Sequence, residues 1–384
     1  MSRRNLALDI FRALTMTLMV FVNDFWAVLD VPHWLEHFDT MEDGMGLSDI
    51  IYPMFLFAMG MSVPYALERR FEKGAPLGET IRHILSRTLA LLIMGAFICN
   101  AESAPMAGNK GVYWLLMVVG FFLVWGVYSE DFEYKKLCRI TGAILLAALA
   151  VTFRTESGEL FRAGWWGILG QIGWMYLFAA SVYLLCREKP WMIIAVWITL
   201  CLVNLSVAPM KNGSELVGGN FLYDFTEALH LGNGHSAIMA LGGVITVIYE
   251  KKIGKDKVLK GLGIAALLAL AGFLTNRGWI VSKNLGTLPW CMYVSGISVA
   301  LYTVLRVLEE RGITSWANPI SPAGKATLTV YMIPYLFYSF WVFLNPTIPS
   351  WLSGYVGVGK CALFSALCIA TAWGLGKAGI RLKI

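Results

Sequence analysis

Apolar residues in this chain do not alternate with polar ones. They come in long runs, near residues 8–29, 49–67, 81–99, 112–128, 138–153, 165–185, 190–208, 234–250, 259–275, 287–307, 324–344 and 355–376. A helix needs about 20 such residues to cross a bilayer, and no segment shows the shorter alternating pattern of an outer-membrane strand. The expectation is therefore an all-α fold, a polytopic membrane helical bundle of about twelve transmembrane helices. Polar segments 30–48, 100–111, 154–164, 209–233 and 276–286 separate several of the runs.

Composition agrees, with 57% apolar and only 15% charged residues and a mean hydropathy of +0.63. These values lie outside the ordinary range of soluble domains. With the N-terminus placed inside, the outer loops hold only Lys110, Arg154, Arg162, Lys211, Arg277 and Lys283. The inner flanks hold Arg3, Arg4, Lys251, Lys252, Lys255 and many more basic residues. This asymmetry predicts both termini on the cytoplasmic side, and shifting the topology by one span would invert it. The net charge of +6 then fits a basic face beside anionic lipid and calls for no nucleic-acid partner. The seven cysteines show no CxxC pair and read as small apolar packing residues. The first run contains Asp9 and Arg12 and lacks a small-x-small cleavage site, so it reads as a retained span and not as a signal peptide.

Candidate chemistry gathers in one loop, PHWLEHFDTMEDGMGLSD at 32–49, which carries two of the five histidines and five carboxylates. His33 and His37 are spaced i, i+4. On a helix they would share a face, and Glu36 with Asp39 would complete a zinc site, but a firm third ligand and an HExxH pattern are missing. No metal is expected. The alternative is a proton acceptor, since histidine ordinarily titrates at roughly 6.5. Asp49 either caps the second span or orients the base histidine. Asp9 and Arg12 share a helix face, and Asn23, three turns on, extends them into a polar stripe that lines a cavity or bonds neighbouring helices. His235 either caps the eighth span or faces a ligand. The aromatic and amide side chains of the outer loops suit a polyhydroxylated ligand, and interfacial aromatic belts look the same in sequence.

Three stretches together bring a family into view. Ala7-Leu8-Asp9-Ile10-Phe11-Arg12-Ala13-Leu14, then Met19-Val20-Phe21-Val22-Asn23, and Ser48-Asp49-Ile50-Ile51-Tyr52-Pro53 through Gly60 resemble the heparan-alpha-glucosaminide N-acetyltransferase family and its bacterial relatives. Gly167-Ile168-Leu169-Gly170-Gln171-Ile172-Gly173 is similar to the family's GVLQRI helix, and Lys283-Asn284-Leu285 to its KNLW segment. Gln171 stands where the family has arginine, and Ala13 replaces a usual glycine. Residues 108–155 look like an inserted helical hairpin beside ten core spans, within a single domain over 1–384.

The resemblance implies a transmembrane acyltransferase of the bacterial inner membrane. It would carry the acetyl group of cytosolic acetyl-CoA to an amino sugar or sugar hydroxyl of an extracytoplasmic glycan. It implies His37, with His33 in reserve, as base or acetyl acceptor, Asn23 on the acyl oxygen and Asp49 orienting the imidazole. Asp9, Arg12, Gln171 and Lys283 would line the path of the acetyl-CoA co-substrate, and the chain would form a homodimer. Two other readings of the same sequence are a polytopic transporter for a small polar solute or saccharide, and a non-catalytic scaffold.

Overall fold

The computed structural model of the protein describes residues 5–103, 106–165, 167–212, 221–252, 256–344 and 349–384. Arg3, Arg4, Asn220 and Lys255, and the side chains of Lys251 and Lys252, lie outside the described residues. The described residues form helices and no strand of a sheet. The helices are α1 (Leu6–Asn23), α2 (Leu47–Glu72), α3 (Leu77–Ser103), α4 (Lys110–Trp125), α5 (Lys135–Thr152), α6 (Ile168–Cys186), α7 (Pro190–Val207), α8 (Phe221–Ala228), α9 (His235–Lys252), α10 (Lys257–Thr275), α11 (Leu288–Glu310), α12 (Ser321–Lys325), α13 (Thr327–Leu344) and α14 (Gly354–Lys377). Short 3-10 turns occupy Asp24–Ala27, His33–Leu35 and Ser315–Ala317.

Each of the twelve apolar runs contains a helix among the described residues. Among the described residues, 9 helices are long and apolar enough to cross a membrane, the mark of a multi-pass membrane protein. Two more apolar helices, Lys110–Trp125 and His235–Glu250, are shorter. α5 begins with Lys135, Lys136 and Arg139, which keeps its length from reading as one apolar window. The 209–233 segment, read as a loop, carries the two-turn helix α8, with Phe221 and Phe225 exposed.

The chain divides into two compact units. The first comprises Met1–Thr15, Pro32–Leu85 and Trp174–Asn318, and the second Met16–Val31, Ser86–Gly173 and Pro319–Ile384. Within the first unit α2 packs along α9 and α10 along α11. The α2 to α9 crossing depends on two glycines. A Cβ on Gly60 would lie 1.9 Å from the Ala240 carbonyl oxygen, and one on Gly243 would lie 2.1 Å from that of Phe57. In lipid, where apolar burial does not drive helices together, such close backbone approach supplies the contact. Gly60→Ala is expected to destabilise the protein by about 1–3 kcal/mol through overpacking. Gly263→Ala, with nothing within 4 Å, is expected to leave stability unchanged or raise it, since alanine is the better helix former by about 0.5–1 kcal/mol. Melting temperatures in detergent compare the two, and equal losses would contradict the crossing as described.

At the start of α1, Glu309 of α11 accepts from the amides of Leu6 (3.0 Å) and Ala7 (3.2 Å), occupying helix-end donors that have no partner within the helix. Arg306 bonds Glu250 at 2.5 Å and also Glu309, so these three charges of α9 and α11 are paired. Asn5 bonds the hydroxyls of Tyr65 on α2 (2.8 Å) and Tyr302 on α11 (2.7 Å). Asp9 and Arg12 follow on α1, both half-buried.

Within the second unit α4 packs on α5 as a hairpin, and α4 also lies against α13. α13 packs on α14, which receives the Asp24–Ala27 turn. α3 and α6 meet where a Cβ on Gly95 would lie 2.5 Å from the Gly170 amide.

Candidate active site

The loop between α1 and α2 folds back over the start of α2. Gly46 is the residue before the helix, and Asp49, three residues later, accepts from its amide through Oδ2 at 3.0 Å. The same oxygen accepts from the amide of Phe38 at 3.1 Å, and Ser48 Oγ donates to the carbonyl of Leu35 at 2.6 Å. A carboxylate in the first helical turn also meets the positive end of the helix dipole. The other oxygen, Oδ1, is 2.7 Å from Nδ1 of His37. Asp49 therefore caps its helix with one oxygen and holds the imidazole with the other.

The burial of this pair is uneven. The Asp49 side chain is 2% exposed and that of His37 53%. An ionised carboxylate can only accept, so the hydrogen of this bond belongs to Nδ1, and in the neutral imidazole the lone pair is then on Nε2. A fixed, buried acceptor thus selects the tautomer of an accessible ring.

Lys283 completes the arrangement. Its Nζ lies 3.1 Å from Nδ1 and 3.4 Å from Nε2 of His37, and 3.9 Å from Asp49 Oδ1. With Nδ1 already donating to Asp49, the ring acceptor left to the ammonium is Nε2, at 3.4 Å. Burial pushes Lys283 below the usual lysine range, and the Asp49 carboxylate opposes that shift. The folded chain therefore releases this proton at lower pH than the unfolded chain. Stability rises with pH between the lowered value and about 10.4, the unfolded value. Lys283→Met lacks this titration. Its melting temperature minus that of wild type is expected to be most positive near neutral pH and to shrink toward about pH 10; melts across that range test it, and a constant difference would disprove it.

The turn that carries Lys283 is held from several sides. Gly286 adopts φ +57°, a conformation open to glycine at little cost. Its carbonyl accepts from Asn204 Nδ2 at 2.8 Å and Asn233 Nδ2 at 3.1 Å, and Asn233 also bonds the Leu285 carbonyl at 2.6 Å. Asn233 Oδ1 in turn receives the amide of His235 at 3.2 Å and lies 2.6 Å from its Nδ1. His235 is thus tied to the turn at the start of α9, the cap-like alternative. Trp290 Nε1 donates to the backbone carbonyl of Asp49 at 3.2 Å, joining α11 to the start of α2. Toward the loop, Asn284 Nδ2 bonds the Phe38 carbonyl at 3.2 Å, and Ser282 Oγ that of Thr40 at 2.9 Å.

The i, i+4 reading of the two histidines needs correction. A 3-10 turn covers His33–Leu35, and Glu36 is extended (ψ 178°), so the two rings share no helical face. His33 bonds Glu42 through Nε2 at 2.7 Å and stacks on Phe38 at 4.2 Å. Among the described residues no group of three or more His, Cys, Asp or Glu is placed to hold a metal ion.

Of the residues singled out in the sequence, the first unit brings together His37, Asp49 and Lys283. Asp9 and Arg12 belong to that unit but to its other end, since α1 starts at Tyr65, sixteen residues or about 24 Å along α2 from Asp49. Asn23 and Gln171 belong to the second unit, Asn23 exposed at the end of α1 and Gln171 half-buried near the start of α6. The sequence reading passed over Asn204, Asn233 as an anchor, and Trp290. Asn204 alone carried a signal, as an isolated amide within the apolar run of α7.

The family described as Domain of unknown function (DUF5009) matches residues 4–232, more than half of the chain. The chain belongs to the DUF5009 family. The matched region of this DUF5009 protein takes in Asn23, His37, Asp49, Gln171 and Asn204, while Asn233, Lys283 and Trp290 lie beyond it. The DUF5009 chain is also 25% identical over 146 residues to the Heparan-alpha-glucosaminide N-acetyltransferase of the mouse, Mus musculus, covering 34% of this chain and 21% of the mouse protein. It therefore spans about a fifth of the length of that curated relative.

Proposed function

We propose that this protein is a membrane acyltransferase that moves an acetyl group from acetyl-CoA to an amine or hydroxyl of a saccharide. The observation that carries the reading is the buried Asp49 holding Nδ1 of the accessible His37, with the Lys283 ammonium against the same ring. The likeness to a Heparan-alpha-glucosaminide N-acetyltransferase supports it.

In this reading His37 Nε2 removes the proton as the acceptor nitrogen or oxygen forms its bond to the acetyl carbonyl carbon. Asp49 stabilises the imidazolium so formed. Lys283 offers positive charge to the carbonyl oxygen as that oxygen gains electron density. The C–S bond then breaks, and His37 returns its proton to the departing sulfur, so the net change is one acetyl transfer with no oxidant or metal. An acetylated His37 is the alternative route through the same imidazole, since both need its lone pair.

The test is acetyl-CoA thioester consumption by detergent-purified protein supplied with amino sugars, with melting temperatures in acetyl-CoA, CoA and ATP. Stabilisation by both CoA species, together with saccharide-dependent release of free thiol, supports the reading. Failure to respond to any CoA species rejects it and favours the transporter alternative.

A further inference from the structure

The first unit holds a trough between α9, α10 and α11 that the proposed chemistry does not use. α9 and α10 both pack on α11, which forms its floor. Ile245 of α9, Val258 and Ile264 of α10, and Val299 and Val307 of α11 line a space of about 110 Å³. Lys257 and Glu310 stand at one end, and Val299 lies eleven residues back along α11. That is about 16 Å of helix, half of a hydrocarbon core roughly 30 Å thick. Only 6% of the apolar span of α10 is buried, and Val258 is 44% and Ile264 38% exposed, so the trough opens beside lipid.

Polar groups along the trough turn to the protein. Thr246 Oγ1 donates to the Gly242 carbonyl at 2.8 Å, Thr303 Oγ1 to that of Val299 at 2.7 Å, and the Tyr302 hydroxyl to Glu250 at 2.7 Å. Glu250 in turn holds Arg306. A ligand that needs many hydrogen bonds gains little here, whereas an apolar cavity of this order stays dry and takes an apolar guest. Lys257 differs. It meets Glu310 only at 3.7 Å, with side chains 42% and 53% exposed, a loose pair that contributes little and yields to another anion. The segment around it, residues 251–260, carries five lysines and one aspartate.

We infer that the trough binds an acyl chain of an anionic phospholipid, with the lipid phosphate on Lys257. The chain lies against the apolar walls over the depth of one leaflet. The phosphate replaces the Glu310 carboxylate as the partner of Lys257, at the level where headgroups meet hydrocarbon and basic residues attract anionic lipid. Apolar contact supplies the affinity, and Lys257 with its basic segment supplies the choice of headgroup. The inference does not rest on acetyl transfer.

Native mass spectrometry of the full-length protein, purified in detergent and stripped of lipid, tests this with dioleoyl phosphatidylglycerol, dioleoyl phosphatidylcholine and chainless glycerophosphoglycerol. Phosphatidylglycerol is expected to bind, phosphatidylcholine about tenfold more weakly, and the chainless headgroup not to be retained. Lys257→Gln is expected to weaken phosphatidylglycerol about tenfold, the scale of one lost charged hydrogen bond, and so to level the two lipids. Ile264→Trp fills the trough and is expected to weaken both lipids about tenfold or more. Leu267→Trp, on the same helix, 66% exposed and outside the lining, is expected to bind like wild type. The three replaced side chains are exposed, so the variants are expected to melt with wild type in the absence of lipid. Equal retention by Ile264→Trp and Leu267→Trp would mean that lipid coats the surface without a site, and would overturn the inference. Equal binding of the two lipids by wild type would do the same. So would a change from dimer to monomer in Ile264→Trp with lipid binding unchanged, which would make the trough a contact between copies of the chain.

Discussion

His37→Ala is expected to lower saccharide acetylation by about 10²–10⁴-fold, the range a positioned general base contributes, and to leave the melting temperature close to that of wild type. The side chain is 53% exposed, so truncation opens no internal cavity. Asp49 keeps its two backbone donors, Phe38 and Gly46, and Lys283 stays 3.9 Å away, so its buried charge keeps its partners. His33→Ala is the internal control. That ring is engaged by Glu42 and Phe38, and its loss is expected to change the rate less than about threefold, within the small effects typical of surface substitutions. Thiol release during turnover, measured beside melting curves, decides the matter. Full activity in His37→Ala with loss in His33→Ala would transfer the role to the reserve residue.

Asp49→Asn is expected to cost nearly as much, about 10²–10⁴-fold in turnover, by a different route. The asparagine carbonyl can still accept from Phe38 and Gly46, so the cap and the loop are largely preserved. Its NH2 group then faces His37 Nδ1, which must accept, and the ring proton moves to Nε2. The base lone pair is turned away from its task although no atom is missing. Lys283 also loses its nearest negative charge, the influence that opposes its lowered pKa, so that pKa is expected to fall further. The measurement is turnover against pH for wild type, Asp49→Asn and Asp49→Ala. Asp49→Ala should melt lower as well, by the loss of a helix cap worth about 1 kcal/mol. Wild-type turnover in Asp49→Asn would remove the carboxylate from the mechanism.

Much of the architecture was legible in the chain because a bilayer imposes a simple rule. Backbone polar groups must be satisfied inside each span, so apolar length alone announces a helix. The runs around 49–67 and 287–307 appear as α2 and α11 for that reason. The Gly46 and Asp49 pairing at the start of α2 is a local contact, three residues apart, and the capping expectation could be drawn from sequence. The histidine spacing misled because i, i+4 has meaning only on an α-helix. Pro32 starts a 3-10 turn there, and the chain is extended by Glu36.

What the sequence by itself determined is therefore the helical, membrane-crossing character of the chain, the polar loop and the residue types it offers. Only the tertiary structure decided which of these meet. Lys283 reaches His37 across 246 positions in sequence, and Trp290 reaches Asp49 across 241. No spacing rule links residues so far apart. Their meeting depends on how α2, α9 and α11 pack, where glycines permit backbone contact and buried amides such as Asn204 fix a turn, and these are properties of the packed helices that no single segment contains.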